Sequence, residues 1–324
     1  MESIKVQVLV GDRIRLFFRR YATVVGLVLL IILFGILTPK SFLTFLNLRI
    51  IFEAASVGLV IGVGQTVVFC LNDFDMSQGS TASMVGIISS TLLVHQHVPV
   101  FVAVILGLLA GALGGAFNGL LVAYGNLSAF IATMGTLTVY KGIAYLWGNG
   151  YTVYGMPKGF VAIGQKHILN IPISVYIMIG VFILALFVLE RTTLGRRWYA
   201  VGWNYDAAYL SGVRVRRIRF LAFVVAGICS AIAGIMLAAR LGSATPLLGD
   251  PQTLNAVAAV FLGMTAFREG RPHILGTLTG VLLLNVLLNG LAIMGVNANY
   301  QQLMTGGVII GAVALAGLSK KQRA

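Results

Sequence analysis

The chain has 324 residues, 58% of them hydrophobic and only 10% charged, with a mean hydropathy of +0.95. A soluble domain carries about a quarter of its residues as charges, so too little polar surface is present to coat a globule in water. The formal net charge of +14 therefore concerns which membrane face holds the basic residues. Membrane lipid is the expected surrounding, and no nucleic-acid partner is expected.

A hydrocarbon layer ~30 Å thick takes about 20 apolar residues per helix. In chain order the apolar runs lie near 21–37, 53–71, 79–95, 98–124, 128–147, 171–189, 218–240, 252–266, 273–293 and 300–317. They predict an all-α, polytopic transmembrane helical bundle of about ten spans. The third and eighth runs are short and follow breaks, which marks them as partial or discontinuous spans. Ser41–Ile51 reads as an interfacial stretch between the first two runs. No cleavable signal is expected ahead of the first run, because residues 1–20 are a mixed segment.

Lys and Arg collect on the cytoplasmic side of membrane proteins. With both termini inside, seventeen of the 23 basic residues fall in cytoplasmic segments, from Lys5 to Arg323. Only Lys40, Arg49, Lys158 and Lys166 fall outside, while Lys141 and Arg240 lie within spans. The expected topology is N-in and C-in, with 1–20 and 319–324 cytoplasmic and 21–318 forming a single transmembrane domain. Tyr145, Trp147, Tyr151 and Tyr154 then form an aromatic belt at the outer interface, and 148–170 is an outer loop. Lys141, mid-segment, has no partner legible in the sequence.

An internal repeat is visible. Asp75-Met-Ser-Gln-Gly opens the third run and Asp250-Pro-Gln-Thr-Leu the eighth, while Asn118-Gly-Leu and Asn289-Gly-Leu recur downstream. The separations, 175 and 171 residues, are nearly constant, and an odd number of spans inverts the second copy. Inverted repeats with short, interrupted helices are common in transporters. Chance likeness of Gly-rich apolar segments is the alternative.

Polar residues inside the runs are few. An Asp at a helix break accepts from first-turn N–H groups that lipid cannot satisfy, so Asp75 is expected to be a buried N-cap, with substrate contact as the alternative. Asn118, Asn255, Asn285 and Asn289 suit a neutral, hydroxyl-rich substrate or a bond to a neighbouring helix. Gly107, Gly111, Gly115 and Gly119 line one helix face as a close-packing seam. Cys70 and Cys229 read as buried small hydrophobes, and the four histidines lack metal-ligand spacing. No metal, cofactor or catalytic constellation is expected. A Gly-x-x-x-x-Gly-Lys-Ser/Thr phosphate loop is absent from the sequence, so ATP would have to be used by another subunit.

The longest cytoplasmic loop, within 190–219, is the most informative. Asn204 is a good N-cap, Asp206 lies in the first turn where a carboxylate favours the helix dipole, and Gly212 suits a C′ stop. A two-turn helix along the inner face is expected. Glu53-Ala54-Ala55 imitates its sequence but falls on the outer side.

Here a family resemblance enters. Asp206-Ala207-Ala208-x-x-x-Gly212 resembles the Glu-Ala-Ala-x-x-x-Gly loop of ABC importer permeases, with Asp for Glu. Ala200-x-Gly202-x-Asn204-x-x-Ala207-Ala208-x-x-Ser211-Gly212 is similar to the corresponding loop of the ribose/xylose-type permease family. The segment Asp75-Met-Ser77-Gln-Gly79-Ser80 is similar to that family's Gly-Gly-Ile-Asp-Leu-Ser-Val-Gly-Ser, and the likeness extends from about Glu53 to Leu318, including Phe130-Ile-Ala-Thr133.

The chain departs from the pattern in three places. Asn72-Asp73 stands where the family has Gly-Gly. Thr253-Leu-Asn255-Ala-Val-Ala-Ala replaces Glu-Leu-Asp-Ala-Ile-Ala-Ala. Gly263-Met-Thr265-Ala-Phe-Arg268-Glu269-Gly270 replaces Gly-Gly-Thr-Ser-Leu-x-Gly-Gly.

The resemblance implies a non-catalytic permease of a bacterial inner-membrane importer. Its partners would be ABC ATPase subunits, a second permease subunit and an extracytoplasmic substrate-binding protein. It implies that Gly202, Asn204, Asp206, Ala207, Ala208, Ser211 and Gly212 meet the ATPase. Asp73, Asp75, Ser77, Asn118, Phe130, Asn255, Asn285 and Asn289 are the candidates for the translocation path. A monosaccharide is the expected cargo; nucleosides, branched-chain amino acids, a small furanoside signal, or an ion-coupled secondary transporter are the alternatives.

Overall fold

The structure is a computed structural model that describes residues 10–267 and 270–321. Residues 1–9 of the expected N-terminal segment, Arg268 and Glu269, and 322–324 of the tail lie outside the described residues. The protein is all-α, with thirteen helices and two minimal strand pairs among those residues. Helix α1 (Val10–Leu37) breaks its helical dihedrals at Tyr21, where the first apolar run was read to begin. It is followed by α2 (Phe45–Phe69), α3 (Gln78–Val94), α4 (Val100–Ala123) and α5 (Ala129–Trp147).

Beyond α5 the chain forms β1 (Val153–Tyr154), α6 (Lys158–Gln165) and the hairpin β2 (His167–Ile168) and β3 (Ile171–Pro172), then enters α7 (Ile173–Arg191). Next come α8 (Thr193–Trp203), α9 (Tyr205–Leu210) and α10 (Val215–Leu241). Strand β4 (Ser243–Ala244) pairs antiparallel with β1. The chain closes with α11 (Asp250–Met264), α12 (Ile274–Ile293) and α13 (Ala298–Lys321).

Among the described residues, α2, α4, α7, α10 and α12 are each long and apolar enough to cross a membrane. Helices α3 and α11 have only 17 and 15 residues. At 1.5 Å per residue they are about 26 and 23 Å long, short of the ~30 Å layer.

Ser41–Ile51, read as an interfacial stretch, is helical from Phe45, where α2 already begins. The Thr44 hydroxyl accepts from the Asn47 N–H at 3.2 Å, and the Asn47 amide donates to Phe42 O at 2.8 Å. Arg49, ahead of the run read from 53, hid this start from a reading by apolar runs.

Burial sorts the helices. Along α2 the residues from Ala55 to Phe69 are all buried, and α3 is buried along nearly its whole length. Helix α10 packs on α2, α3 and α4, and α12 packs on α2 and α11. The outer faces of α4, α5 and α7 instead leave large apolar side chains uncovered, among them Leu113, Ile131, Leu146 and Leu184. In water such a surface would drive aggregation; here it suits lipid. Tyr145, Trp147, Tyr151 and Tyr154 are exposed as well.

The glycine seam lies against α10. A Cβ on Gly111 would meet Gly227 O at 2.8 Å, and one on Gly115 would meet the Gly227 Cα at 3.0 Å. From the other side, a Cβ on Gly227 would meet the Gly115 backbone N at 2.8 Å. Two backbones this close gain dispersion along the whole crossing, which is what holds membrane helices together where no hydrophobic drive exists. Gly115→Leu is therefore expected to destabilise the detergent-solubilised protein by about 1–3 kcal/mol or more through overpacking. Gly135→Ala, where nothing lies within 4 Å of the added Cβ, should change stability by less than about 0.5 kcal/mol. Thermal unfolding of the two variants measures the contrast, and equal stabilities would contradict the seam.

Candidate functional site

Two helix starts meet inside the bundle. The Gly79 N–H near the start of α3 donates to the Thr253 hydroxyl on α11 at 2.8 Å. The Gly249 N–H just ahead of α11 donates to the Ser83 hydroxyl on α3 at 2.8 Å. Residues 79 and 83 thus face 253 and 249, so the two N-termini lie side by side, antiparallel, overlapping by about one turn. Glycine is required at the overlap, because a Cβ on Gly79 would meet Gly249 O at 2.5 Å. First-turn N–H groups have no partner within their own helix, and lipid offers none, so each helix borrows a hydroxyl from the other.

The two positive dipole ends lie near carboxylates. Asp75 is buried, and its Oδ1 accepts from the Ser77 N–H at 2.9 Å and the Ser77 hydroxyl at 2.7 Å. This differs from the expected N-cap: Ser77 is the cap residue, and Asp75 closes the turn before it. The Asn118 amide donates to the Ser77 hydroxyl at 2.7 Å, and the Tyr140 hydroxyl donates to Gly114 O at 2.7 Å and to Asn118 Oδ1 at 3.3 Å. Asp75, Ser77, Asn118 and Tyr140 form one buried chain of bonds joining α3, α4 and α5. In low dielectric such a network fixes geometry so long as each member is partnered.

Asp250, at the start of α11, pairs with Lys141 Nζ at 2.5 Å. This accounts for the mid-segment lysine, which the sequence left unexplained. Arg240, the other basic residue placed within a span, pairs with Glu53 at 3.0 Å and ties α10 to α2. Asp73 accepts from Arg219 on α10 through both carboxylate oxygens, at 2.9–3.0 Å.

The remaining candidates are dispersed. The Asn285 amide donates to Val281 O of its own helix at 2.8 Å, and the Asn289 amide to Asn47 Oδ1 at 2.8 Å. Asn255 is half-buried on α11, and Phe130 is exposed at the start of α5. The structure thus unites Asp75, Ser77 and Asn118, places Asp73 beside Arg219, and does not bring the four asparagines together.

The 190–219 loop has the geometry its residues dictate. The Asn204 side chain accepts from the Ala207 N–H at 2.9 Å and opens α9. Gly212 has φ +79°, its N–H donates to Tyr209 O at 3.0 Å, and the Val213 N–H donates to Ala208 O at 3.1 Å. These two bonds are the Schellman pattern of a helix end. Only Ala208 of α9 is buried, while Trp203, Tyr205, Tyr209 and Leu210 are exposed.

Helix α8, which the sequence reading did not separate, carries Trp198, fully buried with its indole N–H on Ile218 O at 3.0 Å. The Tyr199 hydroxyl donates to Pro272 O at 2.9 Å, and Arg271 lies 4.3 Å from the Trp203 ring. Asn72 donates its amide to Gly202 O. Asn72 has φ +57°, a left-handed turn that asparagine tolerates better than most residues, and that preference was the signal available in the sequence.

The fold and these junctions define a helical membrane protein with two short internal helices and a protruding, capped helix on one face. The family described as the branched-chain amino acid transport system/permease component matches residues 47–313. The chain belongs to this family of permeases. It is 39% identical to the ribose import permease protein of Bacillus subtilis, covering 90% of each chain. It is 35% identical to the D-allose transport system permease protein of Escherichia coli (94% of each) and 31% identical to the L-arabinose ABC transporter permease protein of Azospirillum brasilense (89% and 84%). No solved structure matches.

The Lys141–Asp250 pair should show in a double-mutant cycle. Lys141→Met and Asp250→Asn are expected to couple by about 0.5–3 kcal/mol in thermal unfolding. Additive losses would mean that the pair contributes nothing.

Proposed function

We propose that this chain is the membrane-spanning permease subunit of an ATP-driven importer that carries a monosaccharide. The observation that carries this reading is the joint one. The relatives, matched over about nine-tenths of the chain, are named as permeases for ribose, D-allose and L-arabinose. The same chain presents a capped, exposed helix with the sequence Asp206-Ala207-Ala208-x-x-x-Gly212.

A separate ATPase subunit hydrolyses ATP and grips α8–α9, because exposed Trp203, Tyr205, Tyr209 and Leu210 offer an apolar helix to a partner's groove. A second permease subunit completes the path, and an extracytoplasmic binding protein delivers the sugar to the mouth near 148–170. Closure of the ATPases shifts the permease between inward- and outward-open states through differential binding.

The membrane arrangement is ten spans in the bacterial inner membrane with both termini inside, formed by α1–α5, α7 and α10–α13. We read α2–α5 and α10–α13 as inverted repeats. Their packing supports this: α3 packs on α4 and α5 as α11 packs on α12 and α13, and α10 meets α3 and α4 as α2 meets α11 and α12. The alternative of ion coupling would need an intramembrane acid free to exchange its ion. Asp73 and Asp250 are each held by a basic partner, and Asp75 by Ser77.

Gly212→Pro, or deletion of Asp206-Ala207-Ala208, is expected to lower ATP-dependent uptake at least tenfold in reconstituted importer while membrane insertion stays intact. Undiminished uptake would contradict the coupling role. In the intact importer, uptake from a panel of labelled pentoses, hexoses, polyols, nucleosides and branched-chain amino acids should favour a sugar. A preference for amino acids or nucleosides would overturn the cargo class.

A further inference from the structure

The junction between α2 and α3 is tied to the middle of the 190–219 loop and to the start of α10 that follows it by two consecutive side chains. Asn72 donates its amide to Gly202 O, at the end of α8. The approach is close: a Cβ on Gly202 would meet the Leu71 Cα at 2.9 Å. Asp73 forms its two-oxygen ion pair with Arg219, one turn into α10. Two residues further on, Asp75 holds Ser77, which carries the Asn118 bond at the start of α3. The route from loop to helix break is therefore continuous, made of directed polar bonds and the short backbone segment 72–77.

Bidentate Arg–carboxylate pairs fix orientation as well as distance. With Arg219 part-buried beside it, Asp73 cannot move independently of α10. Asn72 likewise binds the junction to α8. A displacement of α8–α9 relative to the bundle must either break the Asn72–Gly202 bond or carry residues 72–77 along, and with them Arg219 at the start of α10 and the first turn of α3.

We infer that Asn72 and Asp73 are positioning residues for coupled transport: a two-point link that transmits movement of the ATPase-docking loop to the start of α3. The inference deepens the proposed function and rests on the reading of α8–α9 as the docking surface. It assigns a role to the pair Asn72-Asp73, which stands where the resembling family carries Gly-Gly and so could form neither bond.

The test uses the complete importer in a background lacking Cys70 and Cys229, with a single cysteine at Phe74, which is half-buried at the junction. Its rate of alkylation by a maleimide is compared with and without vanadate-trapped nucleotide. Docking is followed separately by cross-linking a cysteine at Tyr209 to the ATPase. With the link intact, trapping should change the alkylation rate at least fivefold.

Asn72→Gly keeps the left-handed turn and removes only the amide. That variant and Asp73→Asn should each reduce the change to under twofold with the cross-link retained. The reversed pair Asp73→Arg/Arg219→Asp should recover at least half of it. A full response in both single variants would overturn the inference. So would loss of the cross-link in Asp73→Asn, because the pair would then serve docking alone. A parent importer in which Tyr209 never cross-links overturns the docking reading itself, and the link with it.

Discussion

Two helix N-termini overlapping within the bundle are the constraint on which this structure depends. A helix that starts away from water exposes N–H groups that neither lipid nor its own backbone can satisfy. Here each start is served by the other, through Thr253 for Gly79 and Ser83 for Gly249. The arrangement also sets two positive dipole ends side by side, which Asp75 and Asp250 oppose. Neither short helix can be displaced without leaving the other's first turn unsatisfied.

Much of the surrounding bundle maintains that overlap. Glycines on α4 and α10 bring two backbones into contact and wall off one side of α3. The bonds from Ser77 through Asn118 to Tyr140 fix the start of α3 against α4 and α5. The pair of Lys141 with Asp250 fixes the start of α11 against α5. The loop holding α8 and α9 is attached near one of these starts through Asn72, and Asp73 holds the start of α10 there. Tyr199 and Arg271 join the same loop to the segment after α11, so this loop touches the chain just before α3 and just after α11.

Local features of this fold were legible in the sequence. The two short runs, the Asn204 cap, the Gly212 stop and the glycine spacing on α4 all depend on residues close together in the chain, where periodicity and capping chemistry operate. What escaped the sequence was long-range. Lys141 and Asp250, like Asn72 and Gly202, lie more than a hundred residues apart, and no local pattern announces them. For Asn118 and Asn289 the sequence left path lining and a bond to a neighbouring helix both open, and each does make such a bond. The early start of α2 was missed because Arg49 interrupts the apolar sequence ahead of Glu53, where the run was read to begin.

The inversion of α3 and α11 across the membrane is most directly tested by sided labelling of single cysteines in intact and inside-out vesicles. Asn72 and Leu247 are both exposed and precede the two short helices. A membrane-impermeant maleimide should reach a cysteine at Asn72 only from the cytoplasmic side and one at Leu247 only from the outer side. Labelling of both from the same side would contradict the inverted arrangement and the coupling route built on it.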